Sequence, residues 1–137
     1  MAAGRWVVST LLVPALAGCA VGGAGDAATL AVRDAHAAVA SAVLATGLQR
    51  DGRATAPYTA VVVGDALVAV AEARQELALA GGVLPDRREL ADAALDPAVA
   101  ELAGIADAAA VATSGEELSR LAELERRLAA TSAALGG

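Results

Sequence analysis

Alanine dominates the apolar content of this chain, and that feature limits the folds that are open to it. The 137 residues include 40 alanines, 18 leucines and 15 valines, but a single isoleucine and no phenylalanine. Alanine has the highest helix propensity and lets helix axes approach closely, although its burial contributes little energy. The length allows one domain. We therefore predict one mostly helical domain.

The remaining composition excludes several classes of protein. The hydrophobic content of 57% is too high for a disordered tail. A single cysteine excludes a disulfide scaffold and a cysteine-based zinc finger. A net charge of −6 without a basic cluster argues against a nucleic-acid partner. Because one histidine and one tyrosine leave few groups for chemistry, we predict a protein that is not an enzyme and uses no metal or other cofactor.

The first nineteen residues follow the pattern of a bacterial signal peptide. Arg5 provides a short positive region, and residues 6–16 form an apolar run that leads into Ala17, Gly18 and Cys19. The run is too short to cross roughly 30 Å of hydrocarbon, which needs about 20 helical residues. An uncleaved membrane anchor is therefore disfavoured.

The residues Leu16, Ala17, Gly18 and Cys19 resemble the lipobox of bacterial lipoproteins, with a branched apolar residue, two small residues and a cysteine. The resemblance implies that the Cys19 thiol accepts a diacylglyceryl group and that a signal peptidase removes residues 1–18. Two acyl chains, such as palmitate, give stable attachment to a membrane. We expect the protein on the outer face of the cytoplasmic membrane, on its periplasmic or cell-wall side. The alternative for Cys19 is a small buried hydrophobe or an idle thiol.

The chain therefore divides into three predicted segments. Residues 1–18 are the signal peptide, residues 19–27 are the lipidated cysteine with a short flexible tether, and residues 28–137 are the helical domain. Because this domain is acidic, anionic headgroups repel it. We expect the acyl chains, rather than the protein surface, to hold it on the membrane.

The periodicity of apolar residues predicts a small antiparallel bundle of four to five helices. A first helix runs over about 28–48, with Leu44 beside its apolar stripe. A second helix runs over about 57–80, with Thr55 as its cap, and pairs with the first as a hairpin. The stripe of the first helix comprises Val32, His36, Val39 and Val43.

Residues 83–113 read as a broken helical region. Asp86 has the position of a cap for a short helix that ends near residue 94. Asp96 then has the position of a second cap, with Pro97 in the first turn of the following helix. These signals predict a short helix followed by a second, separate helix.

The last helix has the clearest start, because Ser114 and Glu117 have the spacing of a capping box. Its glutamates and arginines four residues apart predict two ion pairs, Glu116–Arg120 and Glu123–Arg127. Its apolar face comprises Leu118, Leu121, Leu124 and Leu128.

The charged pairs elsewhere read as solvated helix surface. Arg87 and Arg88 lie between Asp86 and Glu89, whose charges cancel the field that would recruit phosphate. General acid–base catalysis needs carboxylates in a cleft. The sequence places no cleft around the two glutamate pairs, Glu72 with Glu76 and Glu116 with Glu117.

Two residues remain as candidate contacts for a ligand or a partner. His36, the sole histidine, is expected at the edge of the core, with a ligand or pH-sensing role as the alternative. Tyr58 begins the second helix, where an aromatic side chain either covers the end of the bundle or contacts a partner.

We expect a membrane-anchored, non-catalytic interaction or accessory module. Its partners are membrane lipid, through acylated Cys19, and an unidentified protein or a second copy of this chain. The alternative is a protein that binds a small or apolar ligand between alanine-lined helices. An enzyme that combines His36 with acidic groups is the least favoured hypothesis. Because large core residues are few, a domain that folds only with a partner is a further alternative.

Overall fold

The computed structural model describes residues 26–109 and 114–137, and within these ranges the chain is helical with no strand. The elements, in chain order, are α1 (Asp26–Arg50), α2 (Ala56–Leu79), α3 (Pro85–Ala109) and α4 (Gly115–Gly136). The predicted all-α class is confirmed, and the described part of the chain holds four helices. Residues 26 and 27, which the sequence predicts as part of the tether, belong to α1. The predicted signal peptide and Cys19 lie outside the described residues.

The four helices pack as a bundle in which each helix contacts its neighbours in sequence and α4 returns to contact α1. α1 also contacts α3 across the bundle, whereas the α3–α4 contact is much smaller than the α1–α2 contact. α1 is thus the most central helix. Small side chains suit this position, because they allow several helices to approach one axis.

The α1–α2 hairpin forms as predicted and is fixed by local signals. Gly52 has a φ of +71°, a left-handed conformation that glycine adopts without strain, and it reverses the chain after α1. The Thr55 hydroxyl accepts a hydrogen bond from the Tyr58 backbone N–H at 3.4 Å. Pro57 lies in the first turn of α2, where its missing N–H leaves no carbonyl unpaired. The turn and the cap together set the start of α2.

The face that α1 buries agrees with the predicted stripe at Val32 and Val39, which are fully buried, and differs from the prediction at Leu44. Leu44 was expected beside the core, but its side chain is 64% exposed. Alanines turn inward instead, next to Val32 and Val39. The most crowded face of α1 takes small side chains, whereas Leu30 and Leu44 are exposed. The buried alanines of α1 in the shared core are Ala28, Ala31, Ala35 and Ala42.

The prediction of a broken helix over residues 83–113 is wrong as far as residue 109, because α3 continues through Pro97. Leu95 and Ala98 are both fully buried, so packing on either side of the proline holds the helix together. Asp96 does not cap a helix but lies within α3, where its carboxylate pairs with Arg74 of α2 at 2.5 Å. Asp86 lies in the first turn rather than at the cap, since α3 already begins at Pro85.

α4 confirms its predicted start and its predicted surface pairs. The Glu117 backbone N–H donates to the Ser114 hydroxyl at 3.2 Å, and the Ser114 N–H donates to the Glu117 carboxylate at 2.7 Å. Arg120 pairs with Glu116, and Arg127 pairs with Glu123 at 3.2 Å. Leu118 is only half-buried. The buried leucines of α4 are Leu121, Leu124, Leu128 and Leu135.

Candidate functional site

The lipobox residues Leu16, Ala17, Gly18 and Cys19 lie outside the described residues, so lipidation of Cys19 stays a prediction. The start of α1 at Asp26 nevertheless defines the length of the tether, because six residues separate Asp26 from Cys19. An extended chain spans at most about 3.6 Å per residue, so the tether reaches no more than roughly 25 Å. A lipid on Cys19 would therefore keep the N-terminal end of α1 close to a bilayer.

Two arginines tie the chain together at this end of the bundle. Arg87, in the first turn of α3, donates to the Thr29 hydroxyl of α1 at 2.9 Å and to the Leu135 carbonyl of α4 at 2.6 Å. Arg88 donates to the carbonyl groups of Leu77 and Ala80, at 2.6 Å and 2.7 Å. This end of the bundle thus contains the start of α1, the end of α2, the start of α3 and the end of α4.

These hydrogen bonds correct the prediction that Arg87 and Arg88 are solvated surface charges. Both side chains are half-buried. They donate to carbonyl groups at the C-terminal ends of α2 and α4, and one of these, the Leu77 carbonyl, also accepts the Ala80 N–H at 3.3 Å. A cation at that position also interacts favourably with the helix dipole. The sequence carried no signal for this role, because the accepting carbonyls are brought to the arginines only by folding.

The α2–α3 loop, residues 80–84, lies at the same end and is apolar. Leu79, the last residue of α2, is 78% exposed, and Leu84 is 61% exposed. Gly82 turns the chain with a φ of +74°. No charged residue occurs from Leu77 to Pro85. The loop thus presents leucines to solvent within a stretch of nine residues that carries no charged side chain of its own, although the Arg88 guanidinium reaches the Ala80 carbonyl.

His36 lies where the sequence predicts it, at the edge of the core. Its side chain is about one-third exposed, and its Nε2 lies 3.8 Å from a carboxylate oxygen of Glu125 on α4. Asp34, its near neighbour in sequence, is exposed. Across residues 26–109 and 114–137, no group of three or more His, Cys, Asp or Glu side chains could hold a metal ion. The arrangement matches a histidine that packs between α1 and α4.

Tyr58 does not cover the end of the bundle, because its side chain is 55% exposed. It begins a row of outward-facing residues on α2 that continues with Val61, Val68 and Leu79, all exposed. Asp65 and Glu72 interrupt this row and are also exposed. On α1, Leu30 and Leu44 are exposed as well. The outer side of the α1–α2 hairpin thus exposes an α2 row in which apolar and acidic residues alternate, and α1 adds two exposed leucines.

The same hairpin meets a length and hydropathy test for membrane spans. The segments Ala27–Arg50 and Ala56–Leu79 are each long and apolar enough to cross a membrane. Core helices of water-soluble bundles pass the same test, so this is weak evidence for a membrane association.

The α3–α4 seam holds open clefts, and its packing is less extensive than that between α1 and α2 or between α2 and α3. Three of them, with volumes of about 440, 400 and 320 Å³, share Pro97 in their lining. Leu90, Ala94 and Leu124 give one of these clefts an apolar wall. Arg120 and Arg127, which line the seam, are both paired with glutamates of α4. The clefts are open grooves rather than enclosed cavities.

Comparisons with known proteins return no matching family model, curated protein or solved structure for this chain.

Proposed function

We propose that the protein is a bacterial lipoprotein, anchored through acylated Cys19 on the outer face of the cytoplasmic membrane. The observation that carries the proposal is the Leu16-Ala17-Gly18-Cys19 motif, placed directly after an apolar run and containing the sole cysteine. The short distance from Cys19 to Asp26 fits a small domain held near the bilayer.

The domain acts as a non-catalytic interaction module. Support comes from the outer side of the α1–α2 hairpin, where Tyr58, Val61 and Val68 are exposed. Asp65 and Glu72 lie between them, so a partner surface that combines apolar and basic residues would suit this side. A second copy of the chain suits it less, since pairing α2 with itself would bring acidic groups together.

Replacement of Cys19 by alanine tests the anchor. The substitution removes the thiol that accepts the lipid, so we expect the Cys19→Ala protein to carry no acyl group. We also expect no mature Cys19→Ala protein in the membrane fraction. Mass spectrometry and membrane fractionation measure both. Ser9→Ala, which removes a hydroxyl from the apolar run but leaves the motif intact, serves as the control. A wild-type protein that carries no acyl group on Cys19 would overturn the proposal.

Replacement of Tyr58 by alanine tests the interaction surface. The exposed ring contributes little to the core, so we expect an unchanged melting temperature and a loss of crosslinked partner from intact cells. Ser41→Ala, on an exposed position of α1, is the matched control. If the yield of every crosslinked partner is the same for Tyr58→Ala and Ser41→Ala, Tyr58 is not part of the contact.

The clefts along the α3–α4 seam favour a second candidate function, the binding of a small apolar ligand. Leu90 and Leu124 supply apolar lining next to Pro97. A set of fatty acids would raise the melting temperature if the seam takes such ligands, and Leu124→Ser would reduce that rise. An unchanged melting temperature with the whole set would argue against this function.

A further inference from the structure

We infer that the α2–α3 loop, together with Leu79, is a lipid-contacting surface that rests on the bilayer to which Cys19 is anchored. This inference rests on the proposed lipoprotein function and specifies how the domain is oriented on the membrane. The occupant of the apolar surface is the lipid of that membrane rather than another protein.

The first argument is position. Arg87 bridges the first turns of α1 and α3 to the last turn of α4, and Arg88 holds the end of α2. The α2–α3 loop therefore lies at the end of the bundle where α1 begins. Because the tether is no longer than roughly 25 Å, this end is the one that an acylated Cys19 holds near the membrane.

The second argument is the contrast between the two ends of the hairpin. The loop carries exposed Leu79 and Leu84, and no charge occurs from Leu77 to Pro85. At the opposite end, the α1–α2 turn contains Arg50, Asp51 and Arg53, all exposed. Apolar side chains thus point outward where a membrane is expected, and charges point outward where water is expected.

The third argument concerns depth. Glu76 and Asp86 flank the uncharged stretch, and both are exposed. Moving a carboxylate into hydrocarbon is costly, so these two groups stop the insertion at the loop. Leu79 and Leu84 would enter the region between headgroups and acyl chains, and the helices would stay in water. Contact of this kind depends on apolar area and does not require anionic lipid, which would repel an acidic domain.

The experiment compares two leucines of nearly equal exposure at opposite ends of the bundle. Leu84 is 61% exposed and Leu44 is 64% exposed, about 27 Å along α1 from Asp26. Leu84→Cys and Leu44→Cys are prepared as acylated mature proteins in phosphatidylcholine vesicles. The acylated Cys19 sulfur is a thioether, so the new thiol is the one that reacts. Each thiol then receives a polarity-sensitive fluorophore.

We expect the label at position 84 to emit at a shorter wavelength on vesicles than in detergent-free buffer. Lipids with a nitroxide on the acyl chain should reduce its fluorescence intensity at least twofold. The label at position 44 should show neither change. Because both sites expose the label equally, label hydrophobicity alone cannot produce the difference. Equal responses of the two labels would overturn the inference, and unchanged circular dichroism confirms that both variants are folded.

The acyl mass of the protein and its flotation with vesicles separate the two proposals. If the protein is acylated and floats, but the label at position 84 stays in water, the loop contact is wrong and the lipoprotein function stands. If Cys19 of the wild-type protein carries no acyl group, both proposals fail.

Discussion

Two buried threonines at the α1–α2 hairpin differ in what their hydroxyl groups contribute to stability, because only one hydroxyl has a hydrogen-bond partner. Thr46 and Thr59 are both fully buried. The Thr59 hydroxyl can donate a hydrogen bond to either of two backbone carbonyl groups, those of Ala45 and Thr55, and lies 3.3 Å from each. The Thr46 hydroxyl has no hydrogen-bond partner among the described residues. A buried polar group without a partner loses its hydration and gains nothing in return.

Replacement of each threonine by valine therefore has opposite expected effects. Valine has the shape of threonine but no hydroxyl, so Thr46→Val should raise the free energy of unfolding by about 1 kcal/mol, and Thr59→Val should lower it by about 1 kcal/mol. Urea denaturation followed by circular dichroism measures both. A decrease for Thr46→Val as large as that for Thr59→Val would contradict the assignment of an unpartnered hydroxyl.

At the scale of elements, α3 is a helix in which tertiary packing outweighs a local sequence signal for a break. Pro97 lacks the N–H that would bond the Ala93 carbonyl, and its ring crowds that carbonyl. The side chains of both residues are exposed, so no buried contact depends on the proline. Leu95, Ala98 and Leu102 lie on the opposite face and are fully buried. Burial of this face along the whole helix outweighs the local cost of one proline.

Pro97→Ala should therefore stabilise the protein. Proline in a helix interior costs about 3 kcal/mol, and the stiffer unfolded chain offsets about 0.4–1 kcal/mol of this, so we expect a gain of about 2 kcal/mol. Thermal unfolding measures the change.

The matched control for this substitution is Pro85→Ala. Pro85 is the first residue of α3, where proline fits the helix without cost, so the same substitution should be neutral or slightly destabilising. Equal effects of the two substitutions would contradict the view that Pro97 strains α3.

The capping signals of the helices were predictable, and the reason is their short range. Thr55 and Ser114 bond backbone groups three residues away, so the sequence alone is enough to recognise them. The roles of Arg87 and Arg88 were not predictable. Arg87 bonds Thr29, which is 58 residues earlier in the chain. The leucines of the α2–α3 loop could be read as apolar, but only the packed helices place them beside the start of α1.

At the scale of the whole molecule, one continuous core joins the four described helices. The cluster of buried residues includes Val39 of α1, Val70 of α2, Leu102 of α3 and Leu128 of α4. No helix has a core of its own in this arrangement. The smaller contact between α3 and α4 is balanced by the contacts that each makes with the α1–α2 hairpin.

We therefore expect the acylated mature protein in neutral detergent to unfold in one cooperative transition. Circular dichroism reports on all helices, and the fluorescence of Tyr58 reports on α2, so the two urea midpoints should coincide. Leu102→Ala leaves a cavity in α3 and should cost about 2–5 kcal/mol. It should lower both midpoints together. A midpoint by circular dichroism that falls well below the one by tyrosine fluorescence would instead show that α3 and α4 separate first.

Local sequence established the helical class, the caps of α2 and α4 and the surface ion pairs, because propensities and hydrogen bonds between near neighbours act within a few residues. The proposed lipidation of Cys19 also rests on local sequence alone. Tertiary structure decided which residues beside the predicted stripe of α1 are buried, whether α3 is broken at Pro97, and which carbonyl groups Arg87 and Arg88 bind. These outcomes depend on packing between helices or, for Arg88, on the fold of the loop that joins α2 to α3, so no helical periodicity or capping pattern contains them.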